Sequence, residues 1–363
     1  MLSSRERLLR FFAGRDIDRG PIWLLFPHHP LGCYADVFSI PCYAPIVERI
    51  RRGDADTFDR RGCERRLLYT ASERLRFHTE TAGRDSTTTL EFGDLRLTRS
   101  TTYGERTRVK FYVDDPAQLR ALMDIPYEPI RPDLAPYRRE KEELGDRGLS
   151  MMDLGDPLCI LHGLMDPADF AMATATDPDI LTGFLDAMLP RVLDLYRYFL
   201  EADIADAFFI VGAEFAGPPL VSPKKFEELS VKYVKGICDL IRSYGKISIV
   251  HYHGNLRTIL GGMRAIGPDG LHTIEQPPIG NCTIQQAREG LPGVALIGPV
   301  QYDDLIRLNP EQIQEQVRDA YQQAGGVPFI LSPTAGPYEP FIDQRAVANY
   351  DALLDAGLKY GKR

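Results

Sequence analysis

KISIVHYHGN, residues 246–255, sets a short apolar run, Ile247 to Val250, against two histidines, His251 and His253, that lead into a Gly254-Asn255 turn. An apolar run bounded by turn residues reads as a buried strand. Residues two apart in an extended chain point to one face, so both imidazoles can reach a single ion or ligand at the strand's end.

The same pattern repeats on either side. From about residue 145, short apolar runs alternate with longer amphipathic ones, as in parallel strands joined by helices. The expected strands are 148–155, 207–217, 247–254, 270–278, 294–300 and 328–336, with an earlier one at 20–26, GPIWLLF. Helices are expected at 180–202 and 223–245. This predicts a (β/α)8 TIM barrel with one of its eight strands unplaced, within 57–70 or inside an insertion. Residues 66–113 alternate Thr, Arg and aromatic side chains, which predicts an inserted antiparallel hairpin or small sheet. With no repeat or low-complexity linker, the whole chain, 1–363, reads as one barrel domain. The rival, an open doubly wound sheet, lacks a glycine-rich phosphate loop after the first strand.

The length of 363 residues suits such a barrel with insertions. A net charge of -8 argues against nucleic acid and anionic membranes as partners. The opening MLSSRERLLRFFAG reads as a helix rather than a signal, with Ser3 and Glu6 at capping-box spacing. No apolar run reaches the roughly 18 residues of a membrane span. Six scattered cysteines without C-x-x-C fit free thiols in a cytoplasmic protein.

Reactive residues of such barrels project from the C-terminal ends of strands. There the sequence places His28 and His29, Asp153 and Asp156, Glu214, His251 and His253, Glu275, Gln301 with Asp303, and Thr334 with Tyr338 and Glu339. H-x-H at a strand end, with Glu214 and Glu275 on the flanking strand ends, is a donor set for a metal such as zinc. The plainer alternative is that both histidines bond to backbone or carboxylates and only shape the mouth. Glu214 lies in an otherwise apolar stretch, where an unpaired carboxylate is costly. Asp156 precedes Pro157 and also reads as a helix N-cap. His28 and His29 also read as a surface turn, and Cys282 as bland.

Over nearly the whole chain these residues resemble the uroporphyrinogen decarboxylase superfamily, which includes the corrinoid-dependent methyltransferases. RERLLRFFAGRDIDRGPIW is similar to the superfamily's opening helix and first strand, ADAFFIVGAEFAGPPLVSPKKFEEL to its acidic strand end, and LIGPVQ and ILSPTAG to its later strand ends. HYHGN falls where the methyltransferases carry H-x-C-G-[ND]. The resemblance implies a barrel with its site at the C-terminal mouth. True decarboxylases continue the first strand into R-Q-A-G-R, whose arginines hold substrate carboxylates; here the chain has Phe26-Pro27-His28-His29-Pro30, and Ala335 replaces a histidine. The thiol methyltransferases bind zinc through H-x-C and a distant cysteine. This chain keeps His251 but has His253 for the first cysteine and Thr334-Ala335 for the Gly-Cys pair.

Two thiolates and a neutral imidazole bring a zinc site to zero charge, whereas two imidazoles and one carboxylate leave it at plus one, a harder Lewis acid suited to oxygen or nitrogen leaving groups. The expectation is a zinc-dependent methyltransferase or demethylase that moves a methyl group from a small molecule, such as a methoxy compound, to a separate corrinoid protein. The expected metal ligands are His251, His253, Glu214 and Glu275. Glu214 and Asp153 are the expected catalytic carboxylates, and Trp23, Phe26, His28 and Tyr338 the expected substrate contacts. A homodimer through outer helices is a candidate assembly. Alternatives are a metal-assisted decarboxylase or lyase of a small carboxylic acid, for which no arginine stands at a clear strand end, and a non-catalytic barrel subunit.

Overall fold

Side chains that face an inner and an outer layer in turn organise the molecule, whose computed structural model describes residues 2–362. β1 (Phe58–Gly62) precedes four strands of an insertion, β2 (Arg76–Ala82), β3 (Asp85–Phe92), β4 (Leu95–Thr102) and β5 (Arg108–Lys110). Then come β6 (Leu149–Gly155), β7 (Ala207–Val211), β8 (Ile247–His251), β9 (Gly270–His272), β10 (Ala295–Val300) and β11 (Phe329–Pro333). β1 and β6 to β11 form one curled, seven-stranded parallel sheet in the order β1-β6-β7-β8-β9-β10-β11. β2 to β5 form a separate antiparallel sheet over 76–110, inside the 66–113 expected for it.

Side chains on the concave face, among them Phe58, Leu149, Met151, Phe209, Ile249, Ile297 and Ile330, pack into one interior cluster. Their neighbours in sequence, such as Met152, Phe208, Ile210, Val250 and Leu296, pack outward against the helices. Burial on both faces explains why these strands read as continuous apolar runs. The helix Pro178–Glu201 supplies Leu181, Phe184, Leu185, Met188, Val192 and Leu195 to that outer layer at three- and four-residue spacing. The expected second helix begins at Pro223 and reaches Ser243 through a π-turn over Glu227–Val231.

β1 is the strand the sequence left unplaced, and it lies within 57–70. The stretch 20–26 departs from expectation. It makes only isolated parallel bridges, Ile22 with Leu331 and Trp23 with Asp56. Pro21 has no N–H for a ladder, and Leu25 adopts φ +63°, which breaks extended geometry. The segment nevertheless spans the gap between the two edge strands. Trp23 N–H donates to Leu331 O at 2.8 Å, and Asp56 N–H to Ile22 O at 2.6 Å.

Charge secures this seam. The Asp56 side chain is fully buried and accepts from Arg7 Nη1 at 2.6 Å, Arg19 Nη1 at 2.8 Å and Ile22 N at 3.1 Å. Arg7 also pairs with Asp18, whose carboxyl is held well below the usual range by that bond. Arg7 lies in the helix Ser4–Phe12, where Ser3 Oγ accepts from Glu6 N as the N-cap. Among the described residues no helix is long and apolar enough to cross a membrane, and the cysteines are free thiols.

Replacing one member of a buried ion cluster leaves the others desolvated and unpaired, at a cost of about 3–5 kcal/mol. Asp56→Ala is therefore expected to lower the unfolding free energy by about that amount. Urea unfolding checks it, and a loss below about 0.5 kcal/mol, the range of ordinary surface changes, would contradict the role of the seam.

Candidate active site

Carried upward two residues at a time, the inward alternation puts polar side chains where the apolar interior ends. On β1, Phe58 is inward and so is Arg60. On β6, Leu149 and Met151 lead to Asp153; on β8, Ile247 and Ile249 lead to His251; and on β9, Gly270 leads to His272. Strand register sets Asp153 beside Phe209 and His251 beside His272.

Arg60 donates to Asp153 Oδ2 from Nε at 2.9 Å and from Nη2 at 2.7 Å, and to the Tyr34 hydroxyl from Nη1 at 2.7 Å. Its guanidinium lies 4.3 Å from the centre of the Phe209 ring. Burial opposes the charge, but Asp153 outweighs it and keeps Arg60 firmly cationic. Asp153 Oδ1 is buried and has no partner among the described residues.

Hydrogen-bond chemistry fixes the imidazoles. His272 Nε2 lies 3.2 Å from Pro333 O, and a carbonyl only accepts, so Nε2 carries the proton. Burial pushes His272 down to about 3, so its Nδ1 is bare. His251 Nδ1, 2.9 Å away, must then donate to it. Burial, reinforced by His272 and His253, also keeps His251 neutral, which leaves its Nε2 as a lone pair. His253 differs: its Nδ1 donates to Glu275 Oε1 at 2.9 Å, while Gly254 N donates to Glu275 Oε2 at 2.9 Å. Burial works against the His253 imidazolium, but the Glu275 bond and charge prevail and raise it, as they lower Glu275. The two rings meet edge to face at 4.6 Å.

Glu214 follows β7 in a short turn, with Gly212 N donating to its Oε2 at 3.3 Å. Burial raises its pKa above the usual carboxyl value, against the pull of His253. Asp156 caps the helix Pro157–Leu164, accepting from Cys159 N at 3.1 Å, and burial pushes its carboxyl up to about 8. A Cβ at residue 212 would sit 2.0 Å from Asp156 Oδ1, and Gly212 has φ +126°, so glycine is required there.

The structure thus gathers Asp153, Glu214, His251, His253 and Glu275 around one mouth. Trp23 lies beneath it, 5.6 Å from His272 and 1% exposed. Tyr338 stands at the rim, half exposed, against Tyr34 and Tyr302. Phe26 is placed elsewhere: it packs on Tyr43 and Tyr350 in the outer layer. His28 also lies outside, beside Phe38 and His29, because His29 is anchored to the outward side chain of Asp59 through Nδ1 at 2.6 Å.

As a zinc site the residues fit in part. His251 and His253 each have Nδ1 engaged, which orients Nε2 as metal-ligating histidines are oriented by a second partner. Glu275 serves as such an orienting partner, since both of its oxygens are used. Among the described residues no three His, Cys, Asp or Glu donors converge on one point.

The description uroporphyrinogen decarboxylase (URO-D) matches residues 75–356. The chain belongs to that family. No curated protein matches it. Among solved structures, a methyltransferase from Methanosarcina mazei has a TM-score of 0.67 at 17% identity, with 99% of each chain covered, so the URO-D chain shares that fold throughout. A B12-independent methionine synthase from Shewanella sp. W3-18-1 gives a TM-score of 0.47 at 10% identity, covering 94% of this chain and 97% of that one.

Sequence reading of this URO-D member missed Arg60 and His272. Arg60 corrects the expectation that no arginine stands at a strand end. Its signal was period two from Phe58, hidden in a strand, FDRRG, with three charged residues out of five. His272 was read inside a strand running to 278; β9 ends at His272 itself.

The Asp156 carboxyl keeps its proton in the folded state, whereas an unfolded chain releases it near pH 4. Its contribution therefore favours folding at low pH and is lost as pH rises toward 8. Asp156→Asn keeps the cap without that loss. The variant is expected to gain on the wild type by on the order of 1–3 kcal/mol between pH 5 and pH 8 in denaturant unfolding. A pH-independent difference would contradict the buried, protonated acid.

Proposed function

We propose that this chain is a cytoplasmic methyltransferase of the corrinoid-dependent branch of its family, and that its curled sheet with the 20–26 seam is a (β/α)8 barrel. It takes a methyl group from a small molecule, a methoxy compound in the expected case, and passes it to the cobalt of a separate corrinoid protein. The observation that carries the reading is the His251 lone pair at the centre of the mouth, oriented through His272 and flanked by His253 and Glu214. Family membership and the full-length fold likeness to a methyltransferase support it.

Zinc belongs to the proposal: His251 and His253 would hold it through Nε2, and Glu214 would be the further donor nearest to them. When bound, zinc supplies a Lewis acid for the heteroatom, and the reduced corrinoid supplies the electron pair that receives the methyl group. The remaining work falls to the protein. As the bond between methyl carbon and oxygen breaks, the oxygen keeps the electron pair and takes a proton from water as the alcohol leaves. Glu275 accepts the Nδ1 proton of His253 and so steadies the ring with Nε2 turned to the mouth. Arg60, fixed between Asp153 and the Tyr34 hydroxyl and packed over the Phe209 ring, holds the wall of the mouth in place. Trp23 and Phe209 close the floor against water.

Arg60 also favours a second reading, a lyase or decarboxylase in which its remaining N–H groups hold a substrate carboxylate. Asp153 already neutralises most of that cation, so methyl transfer is preferred.

Zinc analysis of the purified protein is expected to give about one ion per chain, lost in both His251→Ala and His253→Ala. Demethylation of a methoxy substrate should need added reduced corrinoid protein and fall about 10²-fold or more in His251→Ala, the scale of losing one preorganised group. Metal-free wild type with both variants equally active would refute the zinc assignment. Carbon dioxide release from a small acid, without demethylation, would select the lyase.

A further inference from the structure

A cleft of about 500 Å³ opens on the flank beside the N-terminal end of β1, bordered by Thr57, Gly53 and the end of the helix Ala44–Arg51. That volume lies within the range of small-molecule sites, about 300–1,000 Å³. It shares none of its lining with the mouth. His28, which sequence reading assigned to substrate, lines this cleft instead.

Its walls carry an unbalanced charge. Arg7 is answered by Asp18 and Asp56, and Arg52 by Glu48. Arg51 and Arg147 have no carboxylate within ion-pair distance among the described residues; Arg147 donates only to the backbone carbonyls of Leu144 and Glu143. The one acid in the wall, Asp146, makes no ion pair among the described residues and leaves the two unpaired guanidiniums, Arg51 and Arg147, in excess. Burial and then the Arg147 charge push the His28 imidazole down, so no carboxylate dominates the local field. The same lining includes the apolar side chains of Phe38, Ile50 and Ala55.

We propose that this cleft is a binding site for an organic anion with an apolar body, such as an alkyl or aryl carboxylate. The anionic head sets against Arg51 and Arg147 and the body against Phe38, Ile50 and Ala55. Two unpaired guanidiniums beside a half-buried apolar wall suit a head that accepts charge-assisted hydrogen bonds and a body that gains from leaving water. Neither inorganic phosphate, which lacks the body, nor a neutral alcohol, which lacks the charge, satisfies both walls. The site is independent of methyl transfer at the mouth.

Isothermal titration of the full chain with octanoate, octanol and inorganic phosphate tests it. Octanoate is expected to bind saturably and at least about tenfold more tightly than the other two, the scale of one charge-assisted hydrogen bond. Arg51→Gln should weaken octanoate about tenfold, Arg51→Lys should restore most of the affinity, and Ile50→Trp should fill the cleft and abolish binding. His251→Ala should leave octanoate binding unchanged, which separates this site from the mouth. Equal affinity for octanoate and octanol, or octanoate binding unaltered by Arg51→Gln and Ile50→Trp together, would overturn the proposal. So would the absence of saturable binding at about millimolar octanoate, the affinity range of weak small ligands.

Discussion

The seam between the first and last strands depends on one buried carboxylate. Asp56 accepts from Arg7, Arg19 and the Ile22 backbone, and so ties the opening helix and the 20–26 segment to the start of β1. The segment cannot form a full strand, because Pro21 and Leu25 interrupt its ladder, and the ion cluster substitutes for the missing hydrogen bonds. Trp23 is thereby fixed in the interior, directly under His272. Two guanidiniums and a carboxylate are costly to desolvate, and their mutual bonds and attraction offset that cost.

Above that floor, the mouth depends on a single backbone carbonyl. Pro333 O makes His272 a donor at Nε2, His272 makes His251 a donor at Nδ1, and the lone pair of His251 is therefore presented to the mouth. Glu275 does the same for His253, but as a carboxylate, so one imidazole of the H-x-H pair is neutral and the other leans to the charged form. Two histidines that look alike in sequence acquire different chemistry from the groups behind them.

Much of this was legible in the sequence because apolar runs buried on both faces cannot be anything but interior strands or helices. The strands around Asp153, Glu214 and His251, the long helix through Leu185 and Val192, and the inserted sheet all announce themselves that way. β1 did not, since its FDRRG alternates inward Phe58 and Arg60 with outward Asp59 and Arg61, and charge masks the period. His28 and Phe26 were misdirected for a related reason: they follow an apparent strand whose geometry turns at Leu25, so counting residues to the strand end no longer gives the face. Whether Glu275 was a ligand or an orienting acceptor could not be told apart, because sequence shows a carboxylate near a histidine but not which of its oxygens is already used.

Label transfer is the sharpest check on whether the mouth moves a methyl group off a small molecule. Protein is incubated with a ¹³C-methoxy substrate and a reduced corrinoid protein, and the labelled carbon is followed by NMR. The label is expected to leave the substrate oxygen and appear bound to cobalt, with the demethylated alcohol formed in equal amount. Label that stays on oxygen, while the chain releases carbon dioxide from a small acid or does no chemistry at all, would contradict it.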